Sequence, residues 1–480
     1  MRALTRFASR ITTLALLSAA VSCATNPATG KRELSLIGEG QEIAMGQEGA
    51  RAAAAQMGLY PDSAVQRYVS SLGQAIARVG ERPSLPWSFS VVDDAVVNAF
   101  ALPGGPVFVS RGILTYMNSE AQLVSVLGHE VAHVTAKHSV NQISKQQLLG
   151  GLLTVGMIVR PELQQFGDLA GTGLGILFLK YGRDDESQAD ELGFRYMTQL
   201  GYDPREMTEM FRILDRLSGG SGSRGTPEWL STHPDPGNRV AATEERIASS
   251  GKSYSGSKVE RAAFLQRMDG IVFGEDPRQG YFQQSAFIHP TLKFRFDFPG
   301  GWKTINTAQA VIGASSQGDA QIALTLGGNV SPQQALSAFL GQQGVRPGGT
   351  STSSINGLSA AVGQFSAQTE SGVLGGYVAF IQMDGTTYRL LAITPQASIG
   401  SYDGIFRSTI ASFQRLTDSR LINVGPQRMR VVKIPRAMTL VEFNAQYPSV
   451  IPIAQLAQIN AMDPGVTIPS GTLVKRVVVQ

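Results

Sequence analysis

Apolar side chains recur at helical spacing through Leu123, Val126, Leu127, Val131 and Val134, which predicts a helix docked on a core by one apolar stripe. Ser119-Glu120-Ala121-Gln122 ahead of it reads as a capping box, with Ser119 accepting from the first turn and Gln122 reaching back. Lys137 and His138 close this helix, where positive charge suits its dipole. A second helix starts from a cap at Asp184 or Asp185, runs to about Leu200 and stops at Gly201. Between the two, stretches 148–159 and 169–179 are apolar and free of charge, but glycines interrupt them and each falls short of a membrane span. They read as helices packed on the core, with a lid or a contact surface as the other reading. Upstream, residues 98–102 run into Pro103-Gly104-Gly105, and Val107-Phe108-Val109 then forms a short strand. Residues 218–227, rich in glycine and serine, form a flexible loop.

The pattern changes after Gly274-Glu275-Asp276-Pro277. Residues 292–298 alternate apolar and charged, as a half-buried strand does, and Pro299-Gly300-Gly301-Trp302 ends it. A helix at 332–342, strands near 360–367, 375–383 and 387–394, and a helix at 401–413 complete a sheet with helices packed on it. The tail reads strand (430–432), helix (439–446), helix (453–460), strand (473–479). The fold class is therefore multidomain α+β: a helix-rich unit with a small β-sheet over 23–278, an α/β sandwich over 281–418 and a small βααβ unit over 427–480.

At 480 residues and 42% hydrophobic content the chain has material for several cores. Residues 1–22 read as an export signal, with Arg2, Arg6 and Arg10 followed by an apolar run and small residues. Cys23 is the only cysteine, so no disulfide forms within the chain. Its position resembles that of a bacterial lipobox cysteine, which would be lipidated and become the mature N-terminus; Ala24 by analogy favours the outer membrane. Removing the signal takes three arginines, so a nominal charge of +4 becomes 38 basic against 37 acidic residues. Near-neutrality without a dense basic run speaks against nucleic-acid binding.

The candidate chemistry lies on the first helix. His129-Glu130-Val131-Ala132-His133 places two imidazoles one turn apart on one face, so that they can grip one divalent ion. Glu130 lies beside them, placed to take a proton from a water that the ion activates. With only five histidines in the chain, the pattern is specific. A tetrahedral zinc still lacks a protein ligand, and Glu186 on the second helix is the candidate. Asp190, four residues on and so on the same face, can accept from the far nitrogen of a ligand histidine and fix its tautomer. His138, five residues past His133, points away from the pair and reads as a helix-end residue.

Together, the His129–His133 motif, the Glu186 and Asp190 pair, residues 98–105, Asn26-Pro27-Ala28-Thr29-Gly30-Lys31-Arg32-Glu33, and Ser231-Thr232-His233-Pro234 with Arg239 resemble the CAAX prenyl protease and HtpX family of zinc metallopeptidases. Within it, the chain is similar to the soluble periplasmic, BepA-like lipoprotein branch, over about residues 25 to 275. The resemblance implies a helix-rich gluzincin domain holding one zinc per chain, with a small sheet whose edge strand, Asn98-Ala99-Phe100, binds an extended substrate. It also sets His233 and Arg239 near the metal, with His233 either donating to the oxyanion or occupying the fourth zinc position. Residues 281–418 resemble a PsbP/Mog-type sandwich, read as a binding or spacing module in which His289 is structural. Leu456, Asn460 and the Pro469-Ser470-Gly471 turn make the tail similar to a LysM domain, with peptidoglycan as its implied partner, although Pro435-Arg436-Ala437-Met438 replaces the usual Gly-Asp pair. The implied function is an envelope endopeptidase acting on unfolded or misassembled periplasmic and outer-membrane proteins, attached to membrane by its lipid alone. The other reading is a chaperone or assembly factor whose zinc site stays largely closed.

Overall fold

In a computed structural model of the chain, residues 23–148, 180–219, 228–369 and 372–480 are described. The export segment, nearly all of the two apolar stretches and most of the 218–227 loop lie outside them. Strands β1 (Cys23–Thr25) and β2 (Arg32–Leu34) pair antiparallel across a turn in which Asn26 Oδ1 accepts from the Ala28 and Thr29 N–H groups at 2.9 and 3.3 Å. Helices α1 (Glu39–Met57) and α2 (Ser63–Val79) follow, the second capped by the Asp62 carboxylate. Next come β3 (Ser88–Val92), β4 (Ala99–Ala101) and β5 (Pro106–Ser110), in the order β3-β5-β4. Strand β3 runs parallel to β5 and β4 runs antiparallel, so β4 is an edge, as the resemblance implies. The turn into β5 needs glycine. Gly104 has φ +76°, and a Cβ there would lie 2.6 Å from Ile43 Cα.

The short α3 (Arg111–Tyr116) leads to α4 (Glu120–Thr135), in which every residue from Ala121 onward is buried. The sequence predicts a single apolar stripe; neighbouring elements enclose the helix on all sides instead. Ser119 Oγ accepts from the Gln122 N–H at 3.2 Å, while Gln122 Oε1 reaches past Ser119 to the Asn118 N–H at 2.6 Å. The far end also differs from expectation. The helix stops at Thr135, Lys137 takes φ 60°, and α5 (His138–Leu148) sets off in a new direction. Helix α6 (Arg183–Gln199) begins at Gly182, whose N–H bonds the Asp185 carboxylate, so Asp185 supports the cap from inside the first turn. Helices α4 and α6 meet at two glycines: a Cβ on Gly193 would lie 3.1 Å from His129 N, and one on Gly128 would lie 3.4 Å from Gly193 Cα. Helices α7 (Arg205–Gly219), α8 (Glu228–Thr232), α9 (Pro236–Ser249) and α10 (Arg261–Met268) complete the unit.

Strands β6 (Tyr281–Gln283), β7 (Ala286–His289) and β8 (Phe294–Asp297) are followed by β9 (Lys303–Asn306), β10 (Ala310–Ala314) and β11 (Gln321–Leu326). After α11 (Pro332–Leu340) come β12 (Val345–Ile355), β13 (Leu358–Thr369), β14 (Gly372–Met383) and β15 (Thr386–Pro395), then α12 (Ile399–Ala411), β16 (Gln414–Arg415) and α13 (Ser419–Ile422). A seven-stranded antiparallel sheet, β12-β13-β14-β15-β11-β10-β9, and a four-stranded sheet, β16-β8-β7-β6, share a core of Phe287, Phe294, Phe296, Tyr377, Leu390 and Phe406. His289 packs its ring against Phe287 and Phe294 and accepts from the Leu292 N–H, a structural position as expected. Ile312, Ala314 and Ala323 form a separate apolar cluster with Phe100, Leu102 and Phe108, which joins this unit to the three-stranded sheet.

The tail contains β17 (Gln427–Lys433), β18 (Met438–Thr439), α14 (Leu440–Gln446), α15 (Ile453–Asn460), β19 (Thr467–Ile468) and β20 (Leu473–Val479), with β17 paired to β20 and β18 to β19. Its apolar core (Met429, Phe443, Leu456, Val474 and Val477 among others) is continuous with that of the α4 unit. Lys475 is fully buried and donates to the Thr115 and Met117 carbonyls at 2.8 and 3.0 Å. Among the described residues no helix is long and apolar enough to cross a membrane.

Candidate metal centre

The close crossing at Gly128 and Gly193 brings Glu186 and Asp190 of α6 against His129 and His133 of α4. His233 arrives from the end of α8, where its N–H bonds the Trp229 carbonyl at 2.8 Å and its ring stacks on Trp229 at 4.7 Å. All four potential ligands, His129, His133, Glu186 and His233, are buried, with their ligand atoms within 4.8 Å of one another. His129 Nε2 lies 3.0 Å from His133 Nε2 and 3.1 Å from His233 Nδ1. Glu186 lies 2.9 Å from His233 Nδ1 and 3.5 Å from the Nε2 of each of the other two. The ligand–ligand edge of a tetrahedral zinc site is about 3.3 Å for bonds of about 2.0–2.1 Å. Three nitrogens and a carboxylate at these separations therefore fit one zinc.

The protonation pattern agrees with that fit. His129 Nδ1 donates to Asp190 at 2.9 Å, which leaves Nε2 bare. Burial, with Arg239 adding to it, pushes the His129 pKa down to about 3, so the ring is neutral and ready to ligate. Burial opposes ionisation of Glu186, yet the imidazoles of His233, His129 and His133 gathered around it hold its carboxyl well below the usual range. Burial likewise opposes ionisation of Asp190, and Arg239 with His129 overcomes it. Arg239 is itself locked in place. Its Nε and Nη2 bond Asp190 at 2.8 and 2.5 Å, its Nη1 lies 3.1 Å from Glu186, and its plane covers Phe211 at 4.2 Å.

Both Glu130 oxygens are buried without a fully formed hydrogen bond; His233 Nε2 lies 3.6 Å away, and the Trp229 indole beside them lowers the carboxyl's pKa. An unpaired buried carboxyl is costly, and a site that keeps one has left room for a polar guest. Burial, with Glu186 adding and His133 opposing, pushes Glu130 up to about 7, where a general base works well.

Asn98, Ala99 and Phe100 lie at the free edge of the three-stranded sheet. The Ser110 N–H bonds the Asn98 carbonyl, and the Leu102 N–H bonds the Pro106 carbonyl. By alternation, the main-chain groups of Ala99 and Ala101 point away from β5. The edge runs into the α8 helix, for the Trp229 N–H bonds the Val97 carbonyl at 3.3 Å. Phe100 turns its ring to Phe108 and the sandwich. Cys23 opens β1, three residues before Asn26.

Sequence reasoning missed two neighbours of His133. Tyr181 stacks on its ring at 3.9 Å and bonds Ser139 Oγ at 2.8 Å. His138 does not point away: its Nδ1 lies 2.9 Å from His133 Nδ1, and its Nε2 lies 2.7 Å from Gln188 Oε1. The left-handed Lys137 turns the chain back, an event invisible to a spacing argument that extends the helix through 138.

Residues 63–247 match the family model described as Peptidase family M48. The beta-barrel assembly-enhancing protease of Escherichia coli K12 is 31% identical over 236 residues, 47% of this chain and 47% of that protein. Its Yersinia pestis namesake is 31% identical over 216 residues, 43% and 44% of the two chains. The mitochondrial metalloendopeptidase OMA1 of Schizosaccharomyces pombe is 33% identical over 179 residues, 37% of this chain and 52% of that one. The chain thus spans about half the length of the curated relatives it matches. A solved structure of cyanobacterial PsbP aligns with 28% of this chain and 95% of its own at 11% identity, but with a TM-score of 0.23.

Proposed function

We propose, for a chain whose residues 63–247 match the model of peptidase family M48, an endopeptidase of the bacterial cell envelope that hydrolyses unfolded or misassembled proteins. One observation carries the reading: three imidazoles and a carboxylate converge beside a buried glutamate without a fully formed hydrogen bond. His129, His133 and Glu186 would hold the ion, with His233 as a fourth ligand in the resting state and Asp190 and Arg239 fixing the orientation of the set. Zinc bound there lowers the pKa of a water and polarises a carbonyl. Glu130 takes the proton of the attacking water and passes it to the leaving amine. An extended substrate pairs with the Ala99 and Ala101 main chain, a mode that tolerates many side chains and so suits quality control.

Two relatives are named as enhancing β-barrel assembly, which favours outer-membrane clients for this chain as well. A lipid on Cys23 would hold the enzyme at the periplasmic face of the outer membrane. The sandwich, read as PsbP/Mog-like, and the LysM-like tail would then bind or space clients and cell wall.

The second reading is an assembly factor with a closed site, and His233 favours it. With Nδ1 among the ligand atoms, His233 would fill the position that catalytic zinc sites keep open. Cleavage of unfolded casein by purified protein separates the two. Glu130→Gln should retain zinc and lose cleavage by about 10²–10⁴-fold, whereas His133→Ala should lose both. Casein left intact by the wild type, together with full rescue of envelope integrity by Glu130→Gln in a deletion strain, would make assembly the main role.

A further inference from the structure

We propose that His138 is a positioning residue for the metal centre, relaying the orientation of the Asn26 turn through Gln188 to His133; the inference rests on the metal-site reading above. The surrounding acceptors set the direction of the relay. Asn26 Oδ1 accepts from two backbone N–H groups, so the other atom of that amide is the nitrogen. Asn26 Nδ2 faces the Glu33 carboxylate at 2.9 Å and the Ala136 carbonyl at 3.3 Å, both acceptors only, which agrees. Gln188 turns its oxygen toward both Asn26 Nδ2, at 3.4 Å, and His138 Nε2, at 2.7 Å, and the Asp185 carboxylate 3.9 Å from that ring nitrogen also calls for a proton on it. An oxygen there requires a proton on His138 Nε2.

A neutral His138 with its proton on Nε2 has a bare Nδ1. That nitrogen lies 2.9 Å from His133 Nδ1, so the proton between them belongs to His133. His133 Nε2 is left with its lone pair facing His129 and Glu186. His129 gains the same tautomer by donating to the Asp190 carboxylate, and His133 gains it by donating to a second imidazole. His138 makes this bond because Lys137 is left-handed and starts α5 on a new axis, while Asn26 caps the end of α4 at Ala136. Residues 26–33 thereby become part of the metal site although none of them reaches the ion. They restrain one of its ligands through the order Asn26, Gln188, His138, His133.

The test compares zinc affinity, by competition with a chromophoric chelator, in full-length protein and three variants. His138→Phe keeps the ring and removes both hydrogen bonds; it should weaken zinc binding by about 10–100-fold, the usual effect of losing such a partner. His138→Gln keeps one acceptor and one donor, and should bind zinc within a few-fold of wild type. Gln188→Leu, on a half-buried helix position that tolerates the change, should weaken binding by less than His138→Phe. Circular dichroism and melting of the metal-free proteins should be alike in all four. The relay is overturned if His138→Phe binds as wild type does, or if His138→Gln loses zinc as fully as the phenylalanine. It is equally overturned if His138→Phe weakens binding only in proportion to a fall in the melting temperature of the metal-free form. A wild-type protein that takes up no zinc would instead remove the metal-site reading itself.

Discussion

His233 is the residue on which the two functional readings divide. Its Nδ1 lies among the ligand atoms, while its Nε2 is 3.6 Å from the unpaired Glu130. A ring so placed would close the centre and shield the base together. His233→Ala should therefore raise casein cleavage several-fold while weakening zinc retention; lost cleavage with zinc retained would show that the ring serves the transition state instead. The motif at His129, Glu130 and His133 was legible because four-residue spacing on a helix permits one geometry. Glu186 and Asp190 were legible for the same reason. His138 was not, because its role depends on a helix break at Lys137 that leaves no periodic trace, and because its partners Gln188 and Asn26 lie 50 and 112 positions away along the chain.

At the scale of elements, the site depends on how closely α4 and α6 approach. Gly193 leaves little room for a methyl group: its Cβ would lie 3.1 Å from His129 N in the middle of the ligand motif, so the helices would have to give by a few tenths of an ångström. Gly193→Ala should force the helices apart at a cost of about 1–3 kcal/mol and move Glu186 and Asp190 with α6. Melting and zinc affinity measured together should both fall; unchanged zinc affinity would mean that the crossing does not set the ligand geometry. The two helices themselves were read correctly in position, with ends shifted by two or three residues. Much of the sandwich was not. Strand β12, with Arg346-Pro347-Gly348-Gly349 followed by threonines and serines, shows no alternation because most of its side chains are exposed. Strands β10 and β11 consist of short apolar runs that do not declare a sheet. Their pairing supplies the definition, which is long-range information.

In the whole molecule, the tail read from sequence as a separate unit shares one apolar core with the α4 unit. Its main chain also joins, through the Met429 N–H to the Ile271 carbonyl and the Phe273 N–H to the Gln427 carbonyl. Burial pushes the Lys475 pKa well below its ordinary value, yet the amine is satisfied by the Thr115 and Met117 carbonyls at the end of α3. Lys475→Met would strand both carbonyls in the interior, at about 1–3 kcal/mol, and should lower the melting temperature of the peptidase unit itself. If only the tail loosened while zinc binding and the main transition stayed fixed, the shared core would not be cooperative. Sequence patterns locate elements, but they do not say which faces two units will bury against one another.

His129, His133, Glu186 and His233 are expected to hold one zinc jointly in the resting protein. Metal analysis with X-ray absorption at the zinc edge on purified full-length protein tests it most directly. The expected result is one zinc per chain with three imidazole nitrogens and one carboxylate oxygen, falling to two imidazoles in His233→Ala. A wild-type spectrum with only two imidazoles, or a protein that binds no zinc, would contradict it.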